Sequence, residues 1–128
     1  CGEVNLKTGT VVMANAGHMA PIIQDNKNTR EQEIKGATAL GLMEDVDYPD
    51  ITFRLDNKTS IIMYTDGISE AHNEKNQQYT DDKLFNLIST IDADNIKITG
   101  KTIIDSVDDF AGDAEQFDDI TLLIIHYE

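Results

Sequence analysis

The spacing of apolar residues changes along this chain, and that change restricts the fold most. In the first half, apolar and polar residues alternate, as at Ile51, Phe53 and Leu55, which is typical of half-buried strands. From Leu84 onward, apolar residues recur at three and four positions, which predicts an amphipathic helix. The chain then ends in an apolar run over 120–127. Strands, then two helices, then one strand predict an α+β fold with antiparallel sheets rather than alternating β-α-β units.

The individual elements follow from the same pattern and from turn residues between them. Lys7-Thr8-Gly9 predicts a turn that joins the first two strands in a hairpin. The segment 36–50 is undecided and is interpreted as a candidate flap. The predicted strands cover 4–6, 10–15, 22–23, 29–34, 51–55, 60–64 and 120–127, and the predicted helices begin at Thr80 and span about 101–111.

Length, cysteine content and charge limit the class of protein. The 128 residues with 40% hydrophobic content fit one domain with its own core. Cys1 is the single cysteine, so no intramolecular disulfide can form, and a cytoplasmic location is expected. No apolar stretch approaches a membrane span. The formal net charge of −14 disfavours nucleic acid as a partner and attracts divalent cations.

Two carboxylates occupy the ends of predicted strands. Asp66 lies two positions after the end of the apolar strand 60–64, and Asp118 lies two positions before the start of the final strand 120–127. If these strands are neighbours, the two carboxylates lie close together, and a hard cation such as Mg²⁺ or Mn²⁺ would relieve their repulsion. On the pattern alone, ordinary turns are the favoured interpretation of both segments, because Asp and Gly favour turns for local reasons.

A third candidate is His18, in a loop after the second predicted strand. Its imidazole could reach a phosphate or a leaving group. A lone loop histidine is more often a turn residue, so catalysis by His18 is not predicted.

Four motifs occur together in a fixed order. They are Asn15-Ala16-Gly17-His18 with Pro21, then Gly41-Leu42, then Tyr64-Thr65-Asp66-Gly67-Ile68-Ser69-Glu70-Ala71, then Phe117-Asp118-Asp119-Ile120-Thr121-Leu122-Leu123. Each motif alone is weak. Together, over essentially the whole chain, they resemble the RsbU/SpoIIE-type branch of the PPM (type 2C) metal-dependent protein serine/threonine phosphatases.

The resemblance implies a fold and a set of site residues. The fold would be an antiparallel β-sandwich flanked by helices (αββα), incomplete at its N-terminal side. Asp66 and Asp118 would be metal ligands, Gly67 would contribute through its backbone, and Asp119 would lie behind the ligands. His18 and Thr121 would support the site.

The resemblance also implies an activity and a partner. A pair of Mn²⁺ or Mg²⁺ ions would activate water for hydrolysis of a phosphoserine or phosphothreonine protein. The substrate would be a phosphorylated regulator in sigma-factor or stress signalling, such as an anti-sigma-factor antagonist. The alternative is a catalytically inactive, phosphatase-like regulatory or interaction module.

The family pattern includes an upstream metal-binding Asp that precedes the first motif of this chain. We therefore expect residues 1–128 to be the C-terminal part of a single phosphatase domain, and to be inactive alone. The strand edges left exposed by an incomplete sandwich favour self-association as a homodimer.

Two other readings of Asp92-Ala93-Asp94 are rejected. A haloacid-dehalogenase-type nucleophile needs a preceding parallel strand, which the pattern does not provide. An EF-hand needs glycine at the sixth loop position, where this chain has Lys97.

Overall fold

The computed structural model describes residues 1–26, 28–35, 38–92 and 95–128. Two of the segments discussed above, 36–50 and 92–94, lie partly outside these ranges. Within the described ranges the chain forms the strands β1 (Gly2–Asn5), β2 (Thr10–Ala14), β3 (Ile22–Gln24), β4 (Thr29–Glu31), β5 (Asp50–Arg54), β6 (Thr59–Tyr64) and β7 (Leu122–Tyr127), and the helices α1 (Asp66–Ser69), α2 (Asp81–Thr90) and α3 (Ile96–Ala111).

The strands form two antiparallel sheets. One has the order β1-β2-β5 and the other the order β4-β3-β6-β7. The pairing of β6 with β7 runs from Thr59 opposite Tyr127 to Tyr64 opposite Leu122. Because these strands are antiparallel, the end of β6 lies beside the start of β7. The α+β prediction and the central position of strand 60–64 are therefore confirmed.

The four-stranded sheet is covered on both faces. Ile61 of β6 packs with Val11 and Met13 of the three-stranded sheet. Its neighbour Ile62 points the other way and packs with Leu84, Ile88, Ile103 and Val107 of the long helices. Successive residues of a strand alternate between faces, so a strand buried on both sides reads as a continuous apolar run. This explains the sequence of β6.

In the part of the chain that the structure describes, the helices pack on the four-stranded sheet, and the three-stranded sheet carries no helical layer. The order of layers is therefore sheet, sheet, helices. None of the described helices is long and apolar enough to cross a membrane.

Several element ends differ from the predicted ones. Leu6 was predicted to continue the first strand, but β1 ends at Asn5 and Leu6 is 76% exposed. The cause is local, because Asn5 Oδ1 accepts hydrogen bonds from the backbone N–H groups of Lys7 and Thr8. Such side-chain turns compete with strand pairing. The strand predicted over 29–34 likewise ends at Glu31.

The helices begin at capping residues. Thr80 accepts a hydrogen bond from the Lys83 backbone N–H, as predicted for the start of α2. Helix α3 begins at Ile96, five residues before the predicted start, because Asn95 accepts a hydrogen bond from the Ile98 backbone N–H and caps it. Helix α1 was not predicted. Between 38 and 49 the described chain forms turns and no helix or strand.

Candidate functional site

Two loops meet where β6 ends and β7 begins. The backbone N–H of Thr65 donates to the Thr121 carbonyl at 3.1 Å. The Thr65 hydroxyl donates to the Asp119 carbonyl at 2.7 Å and accepts from the Thr121 backbone N–H at 2.9 Å. Three hydrogen bonds therefore join the loop at 65–67 to the loop at 118–121.

Gly67 allows these loops to touch. It is buried, and a Cβ added there would lie 2.5 Å from the Asp119 carbonyl oxygen and 2.9 Å from its carbonyl carbon. These separations are well inside van der Waals contact. Only glycine fits at this position without moving the backbone of the second loop.

The two predicted metal ligands sit on the two joined loops. Asp66 is the first residue of α1, and Asp118 lies four positions before the first residue of β7; both are exposed. A Cβ on Gly67 would lie 3.4 Å from the Asp118 carbonyl carbon, so the backbone beside one carboxylate touches the backbone of the other. The structure thus brings together segments that are 52 positions apart.

The loop that carries Asp118 is ordered by its own hydrogen bonds. Asp118 Oδ1 accepts from the Asp119 backbone N–H at 2.7 Å, and the Asp118 carbonyl accepts from Gln116 Nε2 at 2.7 Å. Asp119 takes part through its backbone carbonyl, while its carboxylate is exposed to solvent. Asp118 itself is exposed.

The oxygen donors at these loops suit a divalent ion. Carboxylate and carbonyl oxygens are the ligands that Mg²⁺ and Mn²⁺ prefer. Across residues 1–26, 28–35, 38–92 and 95–128, no three His, Cys, Asp or Glu side chains come together as a metal-binding group. The candidate ligands Asp66 and Asp118 are therefore at most part of a ligand set within the described residues.

His18 and Thr121 border the same cavity, of about 390 Å³, which opens beside Thr65. Apolar side chains, among them Met13, Ile34 and Met63, form much of its lining. The His18 backbone is held by Asn15, whose side chain accepts from the His18 N–H and donates to the His18 carbonyl, both at 2.8 Å. Asp66 and Asp118 are not among the residues that line this cavity.

Sequence reasoning missed the roles of Thr65 and Gln116. Thr65 stood inside a quoted motif, but its partners depend on the register of β6 against β7, which the motif does not contain. The local rule points to a different role, since a threonine directly before a short helix is expected to cap it. Thr65 is the N-cap residue of α1, yet its side chain makes no capping hydrogen bond.

Tyr64 connects the end of β6 to the helical layer. Its hydroxyl donates to Asp81 Oδ1 at 2.9 Å, and Asp81 is the first residue of α2. Burial, with the hydrogen bond to Asp81 second, raises the pKa of the Tyr64 hydroxyl well above its usual value. The residue before the site loop is thus fixed by both its backbone and its side chain.

The raised pKa of Tyr64 predicts a loss of stability in alkali. The folded state keeps this hydroxyl protonated, whereas the unfolded chain ionises it near the ordinary tyrosine value of about 10. The stabilisation is fully present below pH 10 and is lost as the pH rises from there towards the folded-state pKa. Urea titrations at pH 8 to 11 should show a shallower decline for Tyr64→Phe, which should also lose about 1 kcal/mol at pH 8 through the missing hydrogen bond. Equal declines in both proteins would contradict this assignment.

Several solved structures share this fold. The chain superposes with a TM-score of 0.80 and 21% identity on the SiaA-PP2C domain of Pseudomonas aeruginosa, covering 95% of this chain and 48% of that one. Against the phosphatase domain of the cell fate determinant SpoIIE from Bacillus subtilis, in a structure described as Mn presoaked, the TM-score is 0.76 with 12% identity, over 100% and 55% of the two chains. The RsbU and RsbW domains of Rv1364c from Mycobacterium tuberculosis give 0.68 and 22%, over 98% and 35%.

These structures show that the chain has the fold of PP2C-type phosphatase domains, of which it spans about half or less. The family model for Stage II sporulation protein E (SpoIIE) matches residues 1–128. The chain belongs to the SpoIIE family, and the predicted RsbU/SpoIIE-type resemblance is confirmed.

Proposed function

We propose that this chain forms the metal-binding edge of a protein serine/threonine phosphatase whose ligands include Asp66 and Asp118. The observation that carries the proposal is the direct backbone contact between the two loops, at Gly67 and Asp119. A contact that excludes even a methyl group holds the two carboxylate-bearing segments in a fixed relation. Membership of the SpoIIE family supports the proposal that the reaction is hydrolysis of a phosphoprotein.

Charge explains why such a site would need a cation. The chain carries 24 acidic and 10 basic residues, so an anionic phosphoryl group is repelled by the surface as it stands. Bound Mn²⁺ or Mg²⁺ would supply positive charge beside the phosphoryl oxygens and would lower the pKa of water. Asp66 and Asp118 would hold the cation, Gly67 would contribute through its backbone, and the Asp119 carbonyl would hold the second loop in place.

The substrate class is proposed by analogy with the family. The proposed substrate is a phosphoserine- or phosphothreonine-bearing protein in sigma-factor or stress signalling, of which an anti-sigma-factor antagonist is one example. His18 and Thr121 border the cavity beside Thr65 and are proposed to support the site rather than to transfer protons.

The second candidate is a catalytically inactive module of the same fold that acts by binding. It is favoured by the observation that Asp66 and Asp118 do not join a third metal-binding side chain in the described part of the chain. We also propose that residues 1–128 alone bind Mn²⁺ weakly and do not turn over.

The deciding experiment is Mn²⁺-dependent hydrolysis of p-nitrophenyl phosphate and of a phosphoserine peptide. The test uses the full natural polypeptide that contains residues 1–128, with the isolated 1–128 chain beside it. We expect activity in the full polypeptide, loss of activity with a chelator and recovery with added Mn²⁺. No hydrolysis by a folded, Mn²⁺-saturated polypeptide would reject the phosphatase and favour the binding module.

A further inference from the structure

We infer that Thr65 is a positioning residue, whose hydroxyl fixes the spacing between the Asp66 and Asp118 segments. This inference rests on the proposed function, since it concerns how the same site holds a divalent cation. Thr65 itself is not expected to contact the cation or the substrate.

The hydrogen-bonding capacity of Thr65 is used across the site. A threonine hydroxyl offers one donor and two acceptor positions. Here the donor goes to the Asp119 carbonyl at 2.7 Å and one acceptor position takes the Thr121 N–H at 2.9 Å. Both bonds span more than 50 positions of sequence, so they join loops that the local chain does not connect.

The Thr65 hydroxyl does not cap the helix that it precedes. An N-cap threonine ordinarily accepts a hydrogen bond from the second or third N–H of its own helix, which typically stabilises the helix by about 1 kcal/mol. Thr65 has the extended backbone of an N-cap residue, with φ −89° and ψ 157°, but no side-chain capping bond. The side chain caps nothing in α1 and instead binds the neighbouring loop.

Thr65 lies just beyond the paired part of β6, where a side chain is needed to connect the two loops. The regular pairing of β6 with β7 ends at Tyr64 opposite Leu122. Beyond that point a single backbone bond continues the ladder, from the Thr65 N–H to Thr121. The hydroxyl extends the connection to Asp119, the residue that follows Asp118. Contacts that orient metal ligands from outside typically cost 10- to 100-fold in metal affinity when they are removed. Thr65 acts on the backbone beside Asp118 and not on its carboxylate, so we expect the lower end of this range.

Two substitutions separate the hydroxyl from the rest of the side chain. Thr65→Val keeps the shape and the branched Cβ but removes both hydroxyl bonds, whereas Thr65→Ser keeps the hydroxyl and removes the methyl group. Thr90→Val is the matched control, because the Thr90 hydroxyl donates to the Leu87 carbonyl at 2.7 Å in helix α2, outside the site.

The measurement is the Mn²⁺ dissociation constant of the full natural polypeptide, by electron paramagnetic resonance of free Mn²⁺, with thermal unfolding measured in parallel. We expect Thr65→Val to raise the dissociation constant about tenfold, and Thr65→Ser and Thr90→Val to change it by less than about threefold. All proteins are compared well below their melting temperatures, so a purely structural role would lower the melting temperature of Thr65→Val without weakening Mn²⁺ binding.

Failure of this inference and failure of the proposed function give different results. If Mn²⁺ binds in an Asp66-dependent way but Thr65→Val matches wild type, or Thr65→Ser is equally impaired, the positioning role is wrong and the site stands. If the wild-type polypeptide shows no Asp66-dependent Mn²⁺ binding, the proposed site is wrong and the role of Thr65 is rejected with it.

Discussion

Asp66→Asn and Asp118→Asn are each expected to lower Mn²⁺-dependent phosphatase activity of the full natural polypeptide by at least about a hundredfold. Asparagine keeps the size of the side chain and removes the negative charge that holds a hard cation. The charge stabilisation that such a cation gives to a reacting phosphoryl group amounts to several kcal/mol, and each 1.4 kcal/mol changes the rate tenfold. Steady-state hydrolysis of p-nitrophenyl phosphate over a range of Mn²⁺ concentrations measures this loss.

The double variant gives additional information. If both carboxylates serve one cation site, removing the second should cost far less than removing the first, because residues that act as a unit are not additive. The activity of the double variant is therefore expected to be close to that of the less active single variant. Independent, multiplicative losses would show that Asp66 and Asp118 act at separate places.

Asp119→Asn is the matched control for Asp118→Asn. The two residues are adjacent and both side chains are exposed, but Asp119 is tied to the site through its backbone carbonyl, which the substitution leaves intact. We expect Asp119→Asn to lower activity by less than about tenfold. If Asp119→Asn lost as much activity as Asp118→Asn, the ligand role could not be assigned to Asp118 rather than to Asp119.

The sequence predicts the parts of this fold that depend on apolar spacing. The central strand β6 and the buried face of α2 were predicted because their apolar residues are regularly spaced in the sequence. Ile61 and Ile62 of β6 and Leu84 and Ile88 of α2 are indeed buried. Strand and helix ends were predicted less well, since they depend on single side chains. Asn5 ends β1 by a turn of its own, and Asn95 starts α3 before its apolar face begins.

The candidate site was predicted by a different route. Adjacent strand ends explain why Asp66 and Asp118 were paired, but spacing alone could not distinguish a ligand pair from two turns. The resemblance added that distinction. Neither the spacing of the carboxylates nor the family resemblance revealed the role of Thr65. A threonine hydroxyl can cap a helix, stabilise a turn or bind another loop, and only the register of β6 against β7 shows that Thr65 binds the loop at 118–121.

Gly67→Ala is expected to have the second large effect, on stability and site geometry together. The added Cβ would lie 2.5 Å from the Asp119 carbonyl oxygen, and that oxygen belongs to backbone and cannot rotate away. Overpacking of this kind typically costs about 1–3 kcal/mol. The second loop must move, so the hydrogen bonds from Thr65 to Asp119 and Thr121 should weaken. We therefore expect Gly67→Ala to lose Mn²⁺-dependent activity even under conditions where it remains folded.

Gly100→Ala provides the matched control. Gly100 lies inside α3, and a Cβ there would sit 3.6 Å from Ile124 Cδ1, an ordinary contact. Replacing a helical glycine by alanine without a clash typically stabilises by about 0.4–1 kcal/mol. Urea denaturation should thus move in opposite directions for the two variants. If Gly67→Ala were as stable and as active as wild type, the contact between the loops would not hold the carboxylates in place, and the structural basis of the proposed site would be lost.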